Sequence, residues 1–195
     1  FPRRPSECWD VEIMKHWGLA AQKAYGMRTA LMGFIVAAHF KSLRTWGVIH
    51  RAFREEIDWV ELRKLLELCG TLWGSKKSYA LYSTTNKPGC GLPAHGETYL
   101  DRFTFWFQEV WKHEALHQAS HLLSSSIATF AAAKELEVAL TKLRKAHTGL
   151  LGPYHYKCLY DYLVAAGFLP THCVITYPVC SESGTAQALC ELYGI

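Results

Sequence analysis

Apolar positions recur along this chain at intervals of three and four, the period of helices that bury one side. Trp9, Ile13 and Trp17 form the first stripe, with Ser6 placed to cap its start and Gly18 to end it. Leu31, Phe34, Ile35 and Ala38 form the second, inside ALMGFIVAAHF (residues 30–40). DWVE (58–61) has the form of a capping box with Asp in place of Ser or Thr. Leu62, Leu65, Leu66 and Cys69 then share one face up to a stop at Gly70. Residues 103–123 predict one long helix in which Phe107, Val110, Leu116 and Leu123 are apolar, closed by Ser124, Ser125 and Ser126. Residues 131–147 predict another, with Leu136, Leu140 and Leu143 inward. A further helix covers 154–166, and a short last one lies near 184–193.

Between these groups the texture changes. GTLWGSKKSYALYSTTNKPGCGLPAHG (70–96) is dense in Gly, Pro, Ser, Thr and Asn, which predicts a loop with a small β-hairpin near 72–84. The pattern therefore predicts an all-α, multi-helix single domain. Its parts are an N-terminal helical part (1–70), a loop region (71–96) and a C-terminal helical part (97–195).

Composition narrows the class. With 195 residues, half of them apolar and 19% charged, the chain can bury a core and is not of the disordered type. No apolar run reaches the length that spans a bilayer, so a membrane is not among the expected partners. FPRRPSECWD carries no secretory pattern, and a start at Phe1 is that of a trimmed or processed chain. Seven cysteines without a CxxC pair read as free thiols in a reducing, nuclear or cytoplasmic compartment. Cys173 and Cys180, with His172 nearby, carry only a weak signal for a metal knuckle. A net charge of +4 permits an anionic partner without requiring one.

The first candidate chemistry lies in WKHEALHQASH (111–121), where His113-Glu114-Ala115-Leu116-His117 fits the HExxH pattern. On one helix, residues four apart share a face. His113 and His117 would then hold one zinc ion, with Glu114 as general base on its water. His121 lies on the same face, but three histidines on one straight helix climb about 12 Å, too far to close one tetrahedron. Glu137, on the following helix, is the third ligand of this reading. Its spacing from His117 resembles that of thermolysin-like gluzincins, although the supporting Asp of that family falls at Thr141. The condition is that the helix carrying Glu137 folds back with its carboxylate toward His113 and His117. The alternative is a histidine-bearing surface helix whose rings pair with Glu114 or Glu109.

The second candidate lies in LRKAHTGLLGPYHYKCLYDYL (143–163), which resembles a helix-hairpin-helix of the DNA-binding and base-modifying type. Gly152 and Pro153 match the motif's turn; its first Gly falls at Leu150, with Gly149 one place early, and its small residue falls at Tyr156. The resemblance implies that Gly149, Leu151, Gly152 and Tyr154 form a phosphate-holding turn. A helix N-terminus offers free N–H groups and a favourable dipole to an anion. Lys142, Arg144, Lys145 and Lys157 supply charge, and 141–157 contains no acidic residue. The Asp that hairpin-type glycosylases use about twenty residues on has no counterpart in 170–194, which speaks against base excision by that route. SESGTAQALCELYG (181–194) more loosely resembles hairpin-domain families proposed to hypermodify thymine in DNA.

The leading expectation is a nucleic-acid-associated helical domain. The alternatives are a zinc hydrolase and a non-catalytic scaffold that meets a protein partner through its aromatic-rich N-terminal helices. Trp73 and Tyr79, beside Lys76 and Lys77, are the aromatic residues placed to stack on a base.

Overall fold

The apolar run at 30–40 becomes the centre of the molecule. In the computed structural model, which describes residues 5–40, 43–72, 99–125, 127, 129–146 and 153–170, it lies in helix α2 (Met27–Phe40). This helix is buried at every position but Arg28, and it is enclosed by α1 (Pro5–Tyr25), α6 (Glu114–Ser124) and α8 (Pro153–Ala165). Beside this core, α3 (Leu43–Ile49) and a 3₁₀ turn (His50–Ala52) pack on α4 (Trp59–Leu72), and α4 packs on α5 (Tyr99–Lys112). Helix α7 (Phe130–Ala146) covers α6. The fold is all-α, with no strand among the described residues. The expected hairpin near 72–84 and the helix near 184–193 lie outside the described residues. No described helix is long and apolar enough to cross a membrane.

Helices α1 and α2 form a hairpin about one residue. Gly26 has φ +92°, a conformation that a side chain disfavours, and its N–H donates to the Gln22 carbonyl at 3.0 Å. The chain therefore reverses at once, and the helices meet so closely that each puts a ring over the other's glycine. A Cβ on Gly18 would stand 2.2 Å from the Phe34 ring, and one on Gly33 would stand 2.0 Å from the Trp17 ring. This overturns the expected stop at Gly18: the glycine lies mid-helix because Phe34 occupies the space of its side chain. Nor does Ile13 face the core. It is 43% exposed, and Met14, 1% exposed, takes the inward position.

Helix α4 starts as expected, with the Glu61 N–H donating to Asp58 Oδ1 at 2.8 Å. The reciprocal half of a capping box is absent, because the Asp58 N–H donates to the Ala52 carbonyl at 3.0 Å. The helix also passes Gly70 and ends at Leu72. Asp58→Ala is expected to lower stability by about 1 kcal/mol. It should be seen as a lower urea midpoint at unchanged slope; an unshifted midpoint would show that the cap contributes nothing.

Helix α8 begins with Pro153 in its first turn, where the missing N–H costs no hydrogen bond. It closes in a Schellman arrangement: the Phe168 N–H donates to the Leu163 carbonyl at 2.9 Å, and the Gly167 N–H donates to the Val164 carbonyl at 3.0 Å. This returns Phe168 to the core, 6.0 Å from Phe34.

Candidate functional site

The predicted helix over 103–123 is two helices. Helix α5 ends at Lys112, His113 has extended backbone (φ −68°, ψ 132°), and α6 starts at Glu114. In an uninterrupted helix the Ala115 N–H would donate to the Trp111 carbonyl. Here both groups have side-chain partners instead. The Ala115 N–H donates to His113 Nδ1 at 3.0 Å. The Trp111 carbonyl accepts from Arg28, 83 positions away in sequence, at 2.5 Å. The Arg28 guanidinium also lies over the Trp111 ring, 3.8 Å from its centroid, and burial holds it below the usual arginine range against the raising effect of Glu56. A cation at the C-terminal end of α5 and an N-cap at the start of α6 thus hold the joint from both sides.

The HExxH letters therefore have a local explanation. His113 is the N-cap, and Glu114 is an exposed acid in the first turn, where the helix dipole favours it. His117 is exposed one turn later. The expected ligand set His113, His117 and Glu137 is not assembled. Among the described residues no three His, Cys, Asp or Glu side chains come together as a metal site. The physical reason is the break: His113 precedes α6 and points an Nδ1 lone pair at its backbone, so it does not share the face of His117. Glu137 is half-buried in α7, and its backbone carbonyl accepts from the Tyr156 hydroxyl at 3.4 Å. The general-base role of Glu114 required that metal and has no support in this geometry.

A signal for the break is present in the sequence. Phe103, Phe107, Val110 and Trp111 are buried in α5, and Ala115, Leu116, Ala119, Ser120 and Leu123 are buried in α6. Carried through one straight helix, these two faces differ by about half a turn. A phase slip of that size requires a break between 111 and 115. Arg28 has a fainter signal, as a lone charge at the head of the most apolar helix.

At the second candidate, Lys142 and Lys145 are exposed in the last two turns of α7, and half-buried Arg144 lies 6.0 Å from the Tyr156 ring. None of the three makes an ion pair among the described residues. Lys157 differs: it pairs with Asp161 at 3.4 Å, so its charge is partly answered within α8. Tyr154 falls in the first turn of α8. Gly149, Leu151 and Gly152 lie outside the described residues, as do Trp73 and Tyr79. The flanking helices each pack chiefly elsewhere, α7 on α6 and α8 on α1 and α2. They meet at Tyr156, a buried residue whose phenol is pushed up by burial, against the opposing effect of hydrogen bonds with Thr141 and Tyr160.

Two further groups can be placed. The Cys69 thiol is pushed up to about 11 by burial, against a smaller lowering by Arg51, so it stays protonated at neutral pH and is no nucleophile. Trp17, Phe34, Trp46 and Phe53 of the first elements pack against one another in or beside the core, with Trp17 4.7 Å from Trp46 and 6.0 Å from Phe53. These rings are therefore committed to packing.

No known protein family, curated protein or solved structure matches this chain. The hairpin and gluzincin resemblances thus rest on their motifs alone.

Proposed function

We propose that this chain is a nucleic-acid-associated helical domain that holds backbone phosphate where α7 ends and α8 begins. The observation that carries this reading is the clustering of three cations without carboxylate partners among the described residues. Lys15, Arg63, Lys112 and Lys157 each pair with an acid on their own helix. Lys142, Arg144 and Lys145 make no such pair among the described residues, although they fall within four positions of one another. Cations suit the C-terminal end of a helix because of its dipole, and two of these project their charge into solvent. Pro153, in the first turn of α8, leaves that helix's other first-turn N–H groups to meet an anion. Contacts of this kind hold the backbone and do not read sequence.

The test is binding of a short labelled duplex across a salt series. Affinity should fall steeply as salt rises, and Lys142→Glu with Lys145→Glu should reduce the slope of log K against log salt by about two. Salt-independent binding, or a slope that survives the double reversal, would overturn the proposal. Absence of binding at low salt would leave the scaffold reading in its place.

A further inference from the structure

Breaking the helix at His113 changes which histidines share a face. Helix α6 runs without interruption from Glu114 to Ser124 and contains His117 and His121, four residues apart. It is fixed on α2 and α7 by Ala115, Leu116, Ala119, Ser120 and Leu123. The opposite face carries His117, Gln118 and His121, all exposed. Neither imidazole makes a hydrogen bond or ion pair among the described residues; only the two backbone carbonyls are engaged, by Ser120, Ser125 and the turn that ends the helix. Residues four apart lie one above the other, separated by about 6 Å along the axis, so two rings can turn toward a point between them.

We infer that His117 and His121 form a surface site for a divalent transition-metal ion. Two neutral imidazoles are the protein ligands, and water fills the other positions. The site is independent of the phosphate-binding reading and differs from the HExxH set, since His113 and Glu137 take no part. The donor type selects ions that prefer imidazole nitrogen, with Cu²⁺ and Ni²⁺ ahead of Co²⁺ and Mn²⁺ and with no claim on Ca²⁺ or Mg²⁺. Since no third His, Cys, Asp or Glu joins these two among the described residues, the site is open rather than a closed structural one. A metal that spans one turn binds the helical form of α6 and not its unfolded form, so it stabilises the fold by linkage.

The experiment titrates NiCl₂ into the intact chain by calorimetry and follows the thermal midpoint with and without Ni²⁺. The wild-type chain should bind Ni²⁺ and melt higher in its presence. His117→Ala and His121→Ala, both at exposed positions, should each weaken binding about tenfold or more and remove the rise. His113→Ser keeps a capping oxygen at the start of α6 and should bind Ni²⁺ as the wild type does. Three results would overturn the inference: no Ni²⁺ binding by the wild type, unchanged binding in both alanine variants, or binding that His113→Ser abolishes and His121→Ala does not. The last result would return the metal to the HExxH pair.

Discussion

Phe34→Ala is expected to cost about 4 kcal/mol of folding stability. For a domain of this size that is a fall of roughly 8–16 °C in Tm. Phe34 is fully buried in the central helix. Its ring lies 6.2 Å from Trp17, 5.8 Å from Tyr162 and 6.0 Å from Phe168. It therefore ties α1, α8 and the turn after α8 to one point, and none of these elements can close the gap without moving the others. Gly18 tests the same packing from the other side. Gly18→Ala gains about 1 kcal/mol of helix propensity, which alone would stabilise the fold. The clash with a ring held on three sides outweighs that gain, and the net change is a loss of about 1–3 kcal/mol. The two substitutions must then couple, because removing the ring also removes the clash. Urea unfolding of both single variants and the double variant measures this; additivity within about 0.5 kcal/mol would refute the close-contact account.

Arg28→Met should cost about 2 kcal/mol. Met keeps most of the stem, so the loss isolates the guanidinium: its bond to the Trp111 carbonyl and its position over the Trp111 ring. Two effects oppose each other. Arg28 Nε is buried without a hydrogen-bond partner among the described residues, so its removal returns some desolvation cost. Against this, the Trp111 carbonyl is left at a helix end with no donor, and that penalty is the larger. The decisive measurement is a cycle with His113→Ala. Either change alone frees one half of the bond that a continuous helix would make between Ala115 and Trp111. Both together free the donor and the acceptor at once, so the joint can rearrange locally while the two apolar faces stay in place. The double variant should be less destabilised than the sum of the single ones. Simple additivity would show that the two side chains do not substitute for one backbone bond.

Much of the helical order was readable from pattern. The stripes at Leu31, Phe34, Ile35 and Ala38, at Leu62, Leu65, Leu66 and Cys69, and at Leu136, Leu140 and Leu143 are all buried, because helical period and burial are set by near neighbours. The cap at Asp58 and the close of α6 at Ser125 are local as well. Gly18 and Gly70 misled for one reason: a glycine can stop a helix or simply lie within one, and only the surroundings distinguish the two. The basic cluster at Lys142, Arg144 and Lys145 was readable as charge; that Lys157 gives part of its charge to Asp161 depended on rotamers no spacing rule fixes.

The segment 103–123 divides the two kinds of information most sharply. Continued as one helix, the stripe of Phe103, Phe107 and Val110 would bring Glu114, His117 and His121 onto the buried face. That is the arrangement of a metal-bearing helix. A break at 113 instead sends Leu116, Ala119 and Leu123 inward and those polar residues outward. By itself the sequence determined that the segment is helical, that it has two apolar faces, and that the polar group could not be buried without a ligand. The tertiary structure supplied what makes the break tolerable. The break leaves the Trp111 carbonyl without its helical partner, and Arg28, from the head of the central helix, supplies the donor that replaces it. The break itself left a trace in the phase of the two apolar faces; its partner, 83 residues distant, leaves no periodic trace and could not be read before the chain was folded.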